Sequence, residues 1–410
     1  MEVLHPRCAG IDVHKDSVSV CLRTVEKGKI HQEVKTFSTM TKGLLELLDW
    51  LEKAGCTHVA MESTGVYWKP VWHVLEGHFQ LLLANATHIR NVPGRKSDVS
   101  DAMWIADLLA HGLIHASFIP PKPIQELRDL TRTRKQLTRE IVQHTLRIQR
   151  VLEDSNVKLS SVITDILGVS GRKILKALIT GETNLEVLAS LGNPRLHCTR
   201  EELTEALRGR ITNHHRFLLR HHLTLIEALE RTVADFDSQI GRVLEPFRPE
   251  VELLTSIPGV SEIAAQVIIA EIGVDMKVFP TDTHLVSWAG LCPGMNESGG
   301  KRLSTRLRKG APWLKTLLVQ CAWAAARAKG TYLQAQFLRL RARRGPKKAA
   351  VAVAASILTG VWHILDAKVP WKELGPEHFA GRERAVMARR LVRRIKELGY
   401  DVQIQDQEAA

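Results

Sequence analysis

The chain has 410 residues, 44% of them apolar and 25% charged, too long for one ordinary compact domain and too apolar for a disordered one, so two or three domains with real cores are expected. A formal charge of +13 and an isoelectric point near 9.6 favour a polyanionic partner, nucleic acid first. Six cysteines without a C-x-x-C pair exclude a zinc ribbon and a disulfide framework, and the lack of a long apolar run or a signal-like N-terminus predicts a soluble, untargeted protein of a reducing cytoplasm, with no membrane partner.

From residue 8 to about 120 the pattern alternates between short β-rich runs and helical ones, which predicts an α/β domain. CAGIDVHKDSVSVCL reads as a strand, a turn and a second strand; VKTFST, THVAMEST and QLLLANA read as the third, fourth and fifth. TKGLLELLDWLEKAG and VYWKPVWHVLEGH carry helical apolar spacing with glycines at or near their ends, and MWIADLLAHGLI supplies a helix after the last strand, giving the order β-β-β-α-β-α-β-α.

PPKPIQ breaks the pattern, and beyond it the text turns helical. LRDLTRTRKQLTREIVQHTLRIQRVLED predicts one long basic helix. In a second, Leu219, Ile226, Leu229, Val233, Phe236, Ile240 and Val243 recur mostly at alternating spacings of three and four, a coiled-coil seam. The pair predicts a dimerisation arm or a plain helical spacer. His214, His215, His221 and His222 on the second helix have no acids placed to complete a zinc site and are expected to face solvent or phosphate.

LLTSIPGVSEIAAQVIIAEIG places a Pro-Gly turn between two helices. This is either a helix-hairpin-helix, whose turn amides around Gly259 meet a DNA phosphate, or an ordinary helical hairpin. From 301 to 350 there are fourteen Lys or Arg and no Asp or Glu, and charge of one sign without local compensation fits a visiting polyanion. The text after about 380 reads as helical and then frayed.

Two groups of residues carry candidate chemistry. Asp12 lies among apolar neighbours on the first strand and Glu62 at the end of the fourth, strands that neighbour each other in a ribonuclease H-like sheet. Asp98 and Asp101, three apart, begin the helix after the fifth strand and share one face. Singly each has an ordinary explanation: Asp98 as an N-cap, Asp101 as a first-turn acid, Asp12 in a turn, Glu62 ahead of a helix. Together, four converging carboxylates repel unless a cation neutralises them, which implies Mg²⁺ (or Mn²⁺) held by Asp12, Glu62, Asp98 and Asp101. Two such ions about 4 Å apart would suit phosphodiester chemistry.

The second group is GLCPGMNESGGKR, where Ser298 precedes two glycines, Lys301 and Arg302 on an expected irregular loop. The glycines permit close approach of a phosphate and the cations suit a developing phosphorane, yet ordinary turn chemistry explains a serine there equally.

AGIDVHKDS, VAMESTGVYW, GRKSDVSDA, SIPGVS, GLCPGMNESGGKR and LRKGAPWLK in combination resemble the DEDD transposases of the bridge-RNA-guided insertion sequences, over about residues 8 to 330. The resemblance implies a RuvC-type (ribonuclease H-like) α/β domain, a helical coiled-coil arm and a C-terminal domain bearing the serine; with the element pattern these are expected over 1–122, 123–248 and, mostly α with the helix-hairpin-helix-like element, 249–350, followed by a helical tail over 351–410. It makes Asp12, Glu62, Asp98 and Asp101 the four acids and Ser298 the nucleophile; Glu297 stands where the family often has a second serine. The implied partners are DNA (element ends and target), a guide or bridge RNA, and further copies in a dimer or tetramer, within a prokaryotic cytoplasm and associated with the nucleoid. Lys301, Arg302, Arg306, Arg308 and Lys309, with Gly259, are the expected nucleic-acid contacts. Two rival readings are a RuvC-like structure-selective nuclease that uses water, and a non-enzymatic multimeric nucleic-acid-binding protein.

Overall fold

The computed structural model describes residues 3–26, 28–63, 65–85, 89, 100–294, 296–304, 306–379, 389 and 391–401. The chain divides into two compact units, Met1–Ile119 and Pro120–Ala410.

In the first unit β1 (Arg7–Val13), β2 (Ser17–Glu26) and β3 (Lys29–Ser38) form an antiparallel meander; α1 (Thr41–Lys53), β4 (His58–Glu62), α2 (Trp68–Leu75), β5 (Gln80–Ala84) and α3 (Asp101–Ala110) follow. The sheet order is β3-β2-β1-β4-β5, with β1, β4 and β5 mutually parallel. Period-two alternation sorts the side chains between two cores. Ala9, Ile11, Val13, Val18 and Val20 pack on one face with Leu44 and Leu47 of α1 and Val71 and Leu75 of α2. Cys8, Cys21 and Ala60 point to the other, where α3 brings Ala102, Ile105, Ala106 and Leu109. The edge strand β3 is exposed along nearly its whole length, with Lys35 over the Trp50 ring at 4.6 Å.

Two features dock α3. Gly10 leaves no side chain between β1 and the helix: a Cβ there would stand 2.3 Å from the Ala102 carbonyl oxygen and 2.3 Å from the Ala106 nitrogen. Arg23, fully buried on β2, places Nε 3.5 Å from Asp107 Oδ1, while its guanidinium nitrogens find no hydrogen-bond partner among the described residues. Burial also pushes the thiols of Cys8 to about 11 and Cys21 to about 12, so both stay protonated.

The second unit is mostly helical. Its long helices α4 (Lys122–Asp154) and α9 (Asn213–Leu244) enclose in sequence the short helices α5 (Leu159–Val162), α6 (Val169–Thr180), α7 (Leu185–Ser190) and α8 (Arg200–Ala206). Asp154 meets His215 at 3.0 Å, His144 meets His222 at 3.1 Å, and Arg134 pairs with Asp237, so α4 and α9 run antiparallel. Ile148, Leu152, Leu219, Leu223 and Ile226 join the short helices in a core at one end of the pair. Further along α9, Leu229, Val233 and Phe236 are only half-buried. The four expected solvent- or phosphate-facing histidines therefore divide: His215 completes a capping box with Thr212 and ties the two helices together, and His222 is held in the helix pair.

Next come α10 (Arg248–Thr255), α11 (Glu262–Ile272), α12 (Asp282–Trp288), the strands β6 (Asn296–Ser298) and β7 (Lys301–Ser304), α13 (Pro312–Ala325), α14 (Tyr332–Arg344) and α15 (Pro346–Ala367). Arg128 of α4 donates to the last carbonyls of α11, Nε to Ala270 at 3.1 Å and Nη2 to Glu271 at 2.5 Å, where a cation meets the negative end of a helix. By length and composition α15 could cross a membrane, but half of its apolar window is buried. Val353, Ile357, Val361 and Ile364 form part of the unit's core, so it reads as a core helix. It runs unbroken through residue 350, the expected boundary between the C-terminal domain and the tail. Of the text after 380, residues 391–397 are helical, and most of the rest lies outside the described residues.

Candidate active site

Alternation on β1 and β4 decides where the acids point. Asp12 shares parity with Cys8 and Gly10, and Glu62 with Ala60, so both belong to the sheet face that α3 covers. The last β1–β4 rung joins Ile11 to Met61, and one residue further along the parallel strands come Asp12, next to last on β1, and Glu62, the last residue of β4. The α3 helix runs back along β1: Leu4 and His5, just before the strand, donate to the Ala110 carbonyl at 2.8 and 3.1 Å, while Ala102 lies over Gly10. Asp101, at the first position of α3, thus stands at the same end of the sheet as Asp12 and Glu62.

Ser100 caps α3, its hydroxyl accepting from the Met103 amide at 3.3 Å. The N-cap, the ordinary alternative for Asp98, is therefore Ser100, whose short hydroxyl sits one residue ahead of the first helical turn. Asp98 itself lies outside the described residues. Asp12 is half-buried, and Oδ2 meets His14 Nε2 at 3.2 Å. The sequence presents His14 as part of a turn, though two residues along an extended chain share a face.

Among the described residues no three His, Cys, Asp or Glu side chains stand together closely enough to hold a metal ion. The three described acids nevertheless offer only oxygen donors, the set that Mg²⁺ and Mn²⁺ prefer. The protonated thiols on the same face do not compete as ligands. The donor chemistry of these three residues fits a hard divalent cation.

Ser298 stands on a hairpin, not on the expected irregular loop. It ends β6, pairs with Lys301 of β7, and is joined to it by Gly299 and Gly300, whose φ angles of 55° and 73° are those of a two-residue turn that only glycine adopts freely. Glu297 pairs in register with Arg302, and a bulge follows at Asn296. The base of the loop is pinched by two more glycines: a Cβ at Gly310 would lie 2.5 Å from the Gly290 nitrogen. Arg306, Arg308 and Lys309 are all exposed on the stretch that leads away from the hairpin, beside the isolated Pro293–Leu307 bridge.

Gly259 has a packing duty. At φ 89° it turns the chain between α10 and α11, and a Cβ there would meet the Ala325 nitrogen at 2.5 Å and the Cys321 carbonyl oxygen at 2.6 Å. Close approach of α13 thus accounts for the glycine without a phosphate.

Two family models match the chain. Residues 9–156 match that of the DEDD transposases of the IS110 type, and residues 251–338 match that of the transposase IS116/IS110/IS902 family. No curated protein matches it.

Proposed function

That the chain belongs to the DEDD transposases of the IS110 type makes it an enzyme of DNA transposition, and on that footing we propose that it cuts and rejoins DNA with a carboxylate site and a serine nucleophile. The observation that carries the carboxylate half is the pairing of β1 with β4, which sets Asp12 beside Glu62 at the end of the sheet where α3 begins with Asp101. With Asp98 these residues would hold Mg²⁺ or Mn²⁺. When bound, the cation would offset the charge that builds on a phosphodiester under attack. The sheet order supports a ribonuclease H-like, RuvC-type fold for the domain of residues 1–122.

In this reading Ser298 Oγ attacks phosphorus and loses its proton. A serine–phosphate ester forms as one phosphate–oxygen bond of the DNA breaks, and the departing DNA oxygen takes up a proton. The number of phosphoester bonds is unchanged, so a second attack by a DNA hydroxyl can rejoin the strand without external energy. The hairpin that pairs Ser298 with Lys301 would keep a cation beside the reacting phosphate. We further assign the arm to residues 123–248, where α4 and α9 would join copies through their half-buried seam into a dimer or tetramer, and the serine domain with its helix-hairpin-helix-like turn to 249–350, with 351–410 as its extension. The partners would be element ends, target DNA and a guide or bridge RNA.

A denaturing gel of labelled element-end DNA, incubated with protein and Mg²⁺ and then with or without protease, tests the chemistry. The wild type should give a protease-sensitive shifted band, Ser298→Ala should bind DNA but give neither cleavage nor adduct, and Asp98→Asn should behave the same way. Free ends at the normal rate from Ser298→Ala would move the reaction to hydrolysis by water. Sequencing the nucleic acid that copurifies with the protein tests for the guide.

A further inference from the structure

A cavity of about 520 Å³ opens in the second unit between α4, α11 and α13, and neither the acids nor the serine hairpin is among its lining residues. Part of its lining is apolar, with Ala264, Val267 and Leu317, and the half-buried Trp313 lines it as well. To the same lining α4 contributes Arg132, Lys135 and Arg139. Two of these guanidinium groups lie over the indole, Arg132 at 5.6 Å and Arg139 at 5.1 Å.

The charges there are not equivalent. Glu271, 1% exposed, is held in a bidentate pair by Arg132 at 2.8 and 2.8 Å and also faces Arg128, so its charge is spent within the protein. Arg134 is engaged by Asp237. Among the described residues Lys135 and Arg139 have no acidic partner. The cavity therefore joins an apolar, aromatic interior to a rim with two uncompensated positive charges.

We propose that this cavity takes a single unpaired nucleotide, its base stacked on Trp313 and its phosphate at Lys135 and Arg139. An apolar slot beside an indole suits the face of a base, which would take the place of the exposed Arg139 guanidinium over the ring and leave that group to the phosphate. The volume lies in the range that encloses small ligands, roughly 300–1,000 Å³, and cannot admit a stacked duplex. An acidic peptide would use the cations but leave Trp313 and the apolar lining unfilled. The site deepens the nucleic-acid reading on which it rests, and the same chemistry serves a base from RNA or from a displaced DNA strand.

The test measures binding by the full chain without metal, so that it is independent of cleavage. Short fluorescein-labelled single strands of DNA and of RNA, and a labelled DNA duplex, are titrated by anisotropy. Trp313→Ala and Thr316→Trp, which fills the cavity from its lip, should each weaken single-strand binding about tenfold or more. Trp313→Phe should restore most of it, and duplex binding should not change. Loss confined to the RNA probe assigns the base to RNA, loss confined to the DNA probe to a displaced strand, and loss of both to features the two share. Thermal melting identifies a variant that fails to fold, and the surface change Lys135→Gln then carries the test with a smaller loss. Single-strand binding unchanged in the folded variants, or a loss as large on duplex as on single strands, would overturn the proposal. A cleavage defect in Ser298→Ala with this pattern intact leaves the pocket standing, and absence of serine chemistry would leave it standing too.

Discussion

Gly10 and Ala102 touch backbone to backbone: a single added carbon at Gly10 would stand 2.3 Å from the Ala102 carbonyl oxygen, one residue from Asp101. Neither partner is a flexible side chain, so the contact cannot yield locally. Gly10→Ala is expected to lower stability by about 1–3 kcal/mol and to push the start of α3 away from Asp12 and Glu62. Cleavage should fall more steeply than DNA binding, since the acids would be displaced while the basic surfaces of the other unit are untouched. Thermal melting, a binding titration and the cleavage gel on one preparation check this, and equal losses of binding and cleavage would assign the defect to general unfolding.

Arg306, Arg308 and Lys309 are exposed side by side and carry three of the fourteen positive charges between 301 and 350. Replacing all three with glutamine should weaken duplex binding, and the slope of log K against log salt should flatten by about 0.9 for each phosphate that the protein no longer neutralises. Titrations at several salt concentrations give the slope directly. An unchanged slope would put the electrostatic contacts elsewhere, with the basic face of α4 the next surface to neutralise.

The His144–His222 contact makes the joint between α4 and α9 sensitive to acid. Burial holds the His222 imidazole below its ordinary range, with further depression from His144, Arg147 and His221. The folded state binds this proton less readily than the unfolded chain, whose histidines titrate near about 6.5. The stability is therefore fully present above that pH and is lost as the pH falls through the lower folded value. The melting temperature should drop as the pH is lowered from neutral toward 5, and His222→Gln should reduce that drop. The same slope in variant and wild type would clear this pair of any role.

How far the sequence can be read depends on the range of the interaction involved. The alternation in CAGIDV and VAME, a property of neighbouring residues, is enough to place Asp12 within the first strand and Glu62 at the end of the fourth, and β1 and β4 carry them there. The helix cap is misplaced by two residues in the sequence pattern because Asp98 and Ser100 are both good caps by type, and only the hydrogen bond to Met103 chooses between them. The two glycines announce a turn after Ser298, but the pattern reads as an irregular loop, since the pairing strand KRLS is short and strongly charged. Buried Arg23 gives no local signal, because its burial depends on α3, more than seventy positions away. Trp313 is equally silent: its cavity draws on residues near 135, 265 and 315, three stretches that only the folded chain brings together.

The position of α15 bears on how this protein can be taken apart. The second family match ends at residue 338, yet α15 packs against α10, α12, α13 and α14, every one of which lies wholly or mostly inside the matched span or overlaps its start. A fragment cut at the edge of the match would uncover the apolar sides of all four at once, including the surfaces that meet Val353, Ile357 and Val361. The evolutionary module and the folding module are therefore different objects here, and the smallest independently soluble piece carrying the serine hairpin should extend at least through Ala367.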